Sequence, residues 1–272
     1  MAYQNILVSE GAAGDMPAVA EVVLNRPQVR NAMDDAMLRE LTAAFKALAK
    51  KKDLRAVVVR GAGQDFCAGA DINWMRRAGK LPPAKSRQDA KLLLDMALAV
   101  DACPVPVVAS LQGNVFGGGL GLASACDIVV AEENARMSFS EARLGIIPAV
   151  ISCFVLPKIG EAQARRYYLT GEIFNMKTAK HLGIVHEVTH PDELAERTGS
   201  VVKNILRNGP NAVREAKALL RKFPALGFNA RAKLVLDTLT RLRRSPEGQE
   251  GLSAFLEKRP ASWVPPSQGG AA

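Results

Sequence analysis

The sequence predicts an α/β domain, and three observations carry that expectation. Short runs rich in Val, Ile and Leu alternate with longer stretches whose apolar residues recur at helical spacing. Two of the short runs feed directly into a glycine-rich turn followed by a helix, one over about 55–103 and one over about 106–126. From about residue 192 onward the pattern is helical throughout.

Along the chain, "ILV" and "AVAEVVLNRP" read as the two strands of a hairpin around the turn "SEGAAGDMP". Met37, Leu38, Leu41, Phe45 and Leu48 then mark an amphipathic helix, with Asn31 the candidate N-cap. "LRAVVVRGAG" reads as a buried strand ending in glycine. "FCAGADINWMRR" is a tight turn opening a helix, with Asp71 placed to cap it. "AKLLLDMALAVDAC" is a second amphipathic helix, stopped by "PVP". "VVASLQG" is a further strand and leads to "FGGGLGLASACD" at 116–127. "DIVVAEEN" and "ARMSFSEARLG" read as short strands, and "HLGIVHEVTHPDE" as a helix end, a strand and a turn. Four helices follow: "DELAERTGSVVKNILRN", "PNAVREAKALLRKF", "NARAKLVLDTLTRLRR" and "PEGQEGLSAFLEKR". The expected division is a core over 1–191 and a helical region over 192–272 that serves as an oligomer contact, with a loose ending "PPSQGGAA".

Composition narrows the function classes. No apolar run reaches the ~18 residues of a membrane span. The N-terminus "MAYQNILVSEGAAGD" lacks a basic region followed by an apolar core, so a cytoplasmic location is expected. Cys67, Cys103, Cys126 and Cys153 form no CxxC pair and sit among apolar or small residues, which predicts buried reduced thiols. His181, His186 and His190 lack the partners of a metal cluster and read as surface residues, so no metal is expected. The net charge of +9 favours an anionic partner without choosing among nucleic acid, a membrane surface and a phosphorylated ligand. Its basic residues are scattered and no aromatic stripe accompanies them, so nucleic-acid recognition has no motif behind it.

The glycine run carries the chemistry. GxxxxGK[ST] and GxSxG do not occur, and GxGxxG fails because the third position after Gly119 is Leu122. Gly117, Gly118, Gly119 and Gly121 weaken a helix by several times ~1 kcal/mol, yet leave backbone N–H groups bare for a close ligand oxygen. "FCAGAD" at 66–71 is a second small-residue turn after a strand. Two such turns at the ends of consecutive strands can aim two N–H groups at one point, the requirement of an oxyanion hole. Glu141 follows in "SFSEARLGIIPAV". Flanked by Phe139, Leu144 and Ile146, it is either a desolvated acid–base group or a solvated surface carboxylate.

Together these segments resemble the crotonase superfamily of enoyl-CoA hydratases and isomerases. The resemblance runs through "LNRPQVRNAM", "GAGQDFCAGADINWM", "QGNVFGGGLGLASACDIVVA", "SEARLGIIP" and "EGQEGLSAFLEKR". It implies a spiral of ββα turns with a C-terminal helical trimerisation region, assembled as trimers or hexamers. It implies an acyl-CoA ligand and no prosthetic group, coenzyme A entering as part of the substrate. By matched position the N–H groups of Ala70 and Gly118 form the oxyanion hole, and Ala68 meets the adenine. Arg26, Arg30 and Lys258 lie near the CoA phosphates, and Asp71 and Ile72 continue the CoA-binding turn. Two-carboxylate hydratases carry a Glu two residues beyond the third glycine. Gly121 stands there instead, so the resemblance leaves Glu141 as the one acid–base residue, with Gly121 leaving space for a branched acyl group.

"GGGLGLASACD", "EARLGIIPAVIS", "ARRYYLTGE" and "SPEGQEGLSAFLEKR" are similar to bacterial methylglutaconyl-CoA hydratases and a relative acting on isohexenylglutaconyl-CoA; "PAVIS" replaces the commoner "PGGGG". That similarity implies reversible hydration of 3-methylglutaconyl-CoA, and Arg76, Arg77 and Arg143 are candidates for its distal carboxylate. Arg143 is alternatively an ion-pair partner of Glu141, and Trp74 either walls the acyl pocket or belongs to the core. A Δ3,Δ2-enoyl-CoA isomerase and a non-catalytic RNA-binding protein of the same fold are the rival readings.

Overall fold

Strands β2 (Val19–Leu24), β3 (Ala56–Gly61), β4 (Val107–Leu111) and β6 (Ile128–Glu132) are nearly unbroken runs of small and branched apolar residues. That is the composition of strands covered on both faces, and they pair parallel. In the computed structural model, which describes residues 3–11, 16 and 18–265, they form the centre of a six-stranded sheet. β1 (Ile6–Glu10) joins one edge antiparallel to β2, and β9 (Glu187–Thr189) joins the other edge parallel to β6. The order is β1-β2-β3-β4-β6-β9. Residues 12–15 and 17 of the expected hairpin turn, and the tail beyond 265, lie outside the described residues.

A second sheet of three short strands, β5 (Asn114–Phe116), β7 (Arg136–Ser138) and β8 (Ile173–Asn175), runs in the order β5-β7-β8. β7 lies within "ARMSFSEARLG" as expected, but the rest of that segment coils into a 3-10 turn, Ser140–Leu144. β5 and β8, at three residues each, are too short to leave a period in the sequence.

One face of the large sheet carries the main core. α1 (Asp35–Leu48), α3 (Pro83–Asp101) and α4 (Gly118–Ala125) pack there. The first correction concerns the cap of α1, which is Asp34: its carboxylate accepts the Met37 N–H at 2.9 Å. Asn31 is fully buried instead. Its side chain accepts from the Arg26 N–H and donates to the carbonyls of Ala62 and Asp65. It thus ties the loop before α1 to the turn after β3. α2 (Ile72–Ala78) is capped by Asp71 as expected, through the N–H groups of Asn73 and Trp74.

α5 (Ser152–Thr170) was not legible as one helix because Pro157 and a kink at Gly160 interrupt its pattern. α6 (Met176–His181) follows. All four C-terminal helices are present: α7 (Leu194–Leu206), α8 (Pro210–Lys222), α9 (Phe228–Arg243) and α10 (Pro246–Leu256). α7 lies just past the expected division and covers the second face of the sheet. Its Val202, Ile205 and Leu206 pack on Val58, Val108 and Val130. α8 is pinned to the core by the buried Lys217, which pairs with Asp127 and donates to the Val105 carbonyl. α9 and α10 expose Phe228, Leu236, Phe255 and Leu256.

Among the described residues, no helix is long and apolar enough to cross a membrane. Cys67, Cys103 and Cys126 are buried and unpaired as expected, but Cys153 is exposed. It lies in the first turn of α5, and its neighbours in sequence do not cover it.

Candidate active site

The first wall of the site is the turn between β3 and α2. Its backbone is almost fully committed. Cys67 N–H donates to the Asn114 carbonyl, Ala68 N–H to Arg30, Met33 N–H to Gly69, and Asp71 N–H to Met33. The Ala70 N–H is left with no acceptor among the described residues. The Ala68 carbonyl likewise receives no hydrogen bond from them.

The second wall is the start of α4. Gly117 has φ of 46° and ψ of −115°, a conformation closed to residues with a Cβ, and its N–H donates to Ser138. The helix begins one residue later, so the Gly118 N–H has no intrahelical partner and sits at the positive end of the macrodipole. The two turns interlock. A Cβ on Gly118 would stand 3.8 Å from the Ala70 nitrogen, and one on Gly69 would stand 3.8 Å from the Gly118 nitrogen. The expected pair of bare N–H groups is therefore brought together, and side chains at the glycines would fill the space between them.

The 3-10 turn places the third component. A Cβ on Gly117 would lie 3.2 Å from Oε1 and 3.8 Å from Oε2 of Glu141, so the carboxyl group stands directly beside the glycine turn. Oε2 is buried and has no hydrogen-bond partner among the described residues. Burial pushes the Glu141 carboxyl above its ordinary value, opposed by a hydrogen bond from its own backbone N–H. Of the two sequence readings, the desolvated acid–base group is the one the geometry fits.

Arg143 does not pair with Glu141. It is exposed, and its side chain lies against Gly171, whose Cβ position is 3.4 Å from Arg143 Nε. Gly121 does not open space for an acyl branch either. Its Cβ position is 2.3 Å from Cγ2 of Ile151, so the volume is already filled by the side chain leading into α5. Glycine is there because α4 and Ile151 meet at that point.

The remaining candidates separate by burial. Arg26, with a side chain only 15% exposed, is held by Asp34 at 3.1 Å, by Asp71 at 3.3 Å and by the Ala32 carbonyl, so it braces the framework. Arg30, 71% exposed and only 3.9 Å from Asp65, keeps its guanidinium available to solvent at the mouth of the first turn. Asp71 is committed to its cap and to Arg26, and Ile72 is exposed. Lys258, just past α10, is exposed and makes no ion pair among the described residues. Trp74 belongs to the core, and its indole N–H donates to Asp89 at 2.9 Å. Arg76 is exposed, and Arg77 stands 3.9 Å from Asp35.

Sequence reasoning missed Ser152 and Tyr168. Ser152 Oγ lies 2.5 Å from the Pro148 carbonyl and 3.1 Å from the Tyr168 hydroxyl, whose ring packs against Phe139 with centroids 4.8 Å apart and planes tilted by 59°. "PAVIS" contains Ser152 and "ARRYYLTGE" contains Tyr168, but nothing in the sequence shows that the two hydroxyls meet.

A largely parallel sheet brings two bare N–H groups at its crossover turns together with a desolvated carboxyl, an arrangement that can hold a developing oxyanion and move a proton beside it. A profile of the enoyl-CoA hydratase/isomerase family matches residues 15–266, and the chain belongs to that family. It is similar to the 2,3-dehydroadipyl-CoA hydratase of Escherichia coli, with 31% identity covering 93% of this chain and 97% of that protein. It is 29% identical to the crotonyl-CoA hydratase of Syntrophomonas wolfei, covering 97% of this chain and 99% of that protein. Among solved structures, Pseudomonas aeruginosa AtuE superposes with a TM-score of 0.91 at 35% identity, covering 96% of this chain and all (100%) of that one.

Proposed function

We propose that the protein reversibly hydrates a branched enoyl-CoA of the 3-methylglutaconyl-CoA type, with Glu141 as its single acid–base group. The observation that carries the reading is the buried Glu141 Oε2, without a hydrogen-bond partner among the described residues, beside the glycine turn that leads to the Gly118 N–H. The thioester oxygen accepts from those two N–H groups. Water oxygen bonds to C3 as Glu141 takes one of its protons. The electron pair of the C2–C3 double bond moves to the thioester oxygen as an enolate. The enolate then collapses and C2 takes the proton from Glu141. The net change is OH at C3 and H at C2, on the face that carries Glu141. Each N–H contributes ~10²–10³ in rate.

Similarity to a relative named for a dicarboxylic acyl-CoA supports a substrate with a distal carboxylate. Arg76, Arg77 and Arg143 remain the cations for it, and the branch must lie away from Gly121. Arg30 and Lys258 are assigned to the CoA phosphates. The exposed apolar residues of α9 and α10 support assembly with further copies of the chain, as a trimer or hexamer. Incubation of 3-methylglutaconyl-CoA and crotonyl-CoA in heavy-oxygen water tests the reaction: label at C3 is expected. A shifted double bond without label would instead establish an isomerase. Preference for crotonyl-CoA would remove the branched, carboxylated substrate.

A further inference from the structure

A two-carboxylate site holds the attacking water with two acceptors. Here the second carboxylate position is Gly121, and Ile151 blocks it sterically. The residue after Ile151 is Ser152, and its Oγ lies 3.1 Å from the Tyr168 hydroxyl.

The directions of their hydrogen bonds follow from chemistry. A carbonyl only accepts, so at 2.5 Å the single Ser152 proton is donated to Pro148. Across the 3.1 Å contact between Ser152 and Tyr168, Tyr168 must then be the donor. Its proton is committed, and its oxygen is left with lone pairs only. The Tyr168 ring is fixed by Phe139, two residues before Glu141. Tyr168 is half-buried, and burial raises its pKa, opposed by the Ser152 hydrogen bond and reinforced by the Glu141 carboxylate. The hydroxyl therefore stays neutral and stands within the field of Glu141.

We propose that Tyr168, turned into a hydrogen-bond acceptor by the relay through Ser152 to Pro148, positions the attacking water by accepting one of its protons while Glu141 accepts the other. The water oxygen then presents a lone pair to C3. The proton on Tyr168 never transfers, and the balance of the reaction is unchanged. The inference rests on the hydratase reading above.

The test uses two measurements on the full-length protein. One is kcat for hydration of 3-methylglutaconyl-CoA, the substrate proposed above. The other is exchange of the C2 proton of butyryl-CoA in heavy water, which needs Glu141 and the two N–H groups but no attacking water. Tyr168→Phe is expected to lower hydration on the order of 10²-fold, as for loss of reactant positioning, with KM and exchange unchanged. Ser152→Ala frees the Tyr168 proton to turn elsewhere and is expected to lower hydration by a smaller factor, again without loss of exchange. Wild-type kcat in Tyr168→Phe would overturn the proposal and leave the hydratase reading standing. Equal loss of exchange and hydration would overturn it in favour of a structural role. A wild-type protein that exchanges but does not hydrate would remove both.

Discussion

Gly121→Ala places a methyl carbon 2.3 Å from Cγ2 and 2.9 Å from Cβ of Ile151. Carbon atoms in contact sit ~3.5–4.0 Å apart, so the new group enters by more than 1 Å. Alanine in a helix gains about 1 kcal/mol over glycine, while overpacking a core costs about 1–3 kcal/mol. The single variant is therefore expected to lose up to about 2 kcal/mol of stability, the difference between the two. Ile151, 3% exposed, loses about 2–5 kcal/mol on truncation to alanine because a cavity remains. In the double variant the added methyl occupies part of that cavity and the Cγ2 clash is gone. Its loss should fall short of the sum of the two by about 0.5–3 kcal/mol, the range for residues in contact. Urea denaturation of the four proteins at one fixed concentration measures this coupling. Additivity within about 0.5 kcal/mol would refute the claim that Ile151 fills the place of the absent acid. By the same geometry, Gly121→Glu is not expected to restore a second carboxylate to the site.

The other expectations concern charge and backbone. Glu141→Gln should abolish hydration by a factor of about 10²–10⁴ while the protein stays folded, measured by turnover and circular dichroism. Glu141 holds its proton to higher pH when folded than when unfolded, so between those two values the folded state binds more protons and stability falls as pH rises. Glu141→Gln should thus be more stable than wild type at neutral pH and equal to it below the ordinary carboxylate range, and the acid limb of hydration should lie above that range. Gly117→Ala, at φ of 46° and 3.2 Å from Glu141 Oε1, should cost about 1–2 kcal/mol and lower kcat through displacement of the carboxyl, as urea melts and turnover would show. Arg26→Ala should destabilise by about 3 kcal/mol, the lower end for breaking a buried pair. Arg30→Ala should leave stability within about 0.5 kcal/mol and raise KM for the CoA thioester in a salt-sensitive way.

Much of the fold was legible because its strands are covered on both faces and read as continuous apolar runs, and because the C-terminal helices carry strong period and clear punctuation. The parts that escaped have physical reasons. β5 and β8 are too short to show a period, and α5 contains a proline and a kinked glycine. At the site, two small-residue turns after consecutive strands pointed to a converging pair of N–H groups, and the family resemblance assigned them to Ala70 and Gly118. Three-dimensional packing decided the rest. Asn31 has the chemistry of a cap but is drawn inward by the Ala62 and Asp65 carbonyls. Gly121 signalled a missing side chain, but only Ile151, thirty positions later, shows that no room was left behind. Arg26 and Arg30 look equivalent in "RPQVR" and differ only because two aspartates converge on the first.

The distribution of thiols has a practical side. Burial pushes Cys67 and Cys126 up to about 12 and raises Cys103 as well, so none of the three offers a thiolate near neutral pH. Cys153 alone is open to solvent, one residue from Ser152. The unmodified protein therefore carries a single natural attachment point for a maleimide dye or spin label, in the first turn of α5, without engineering a cysteine.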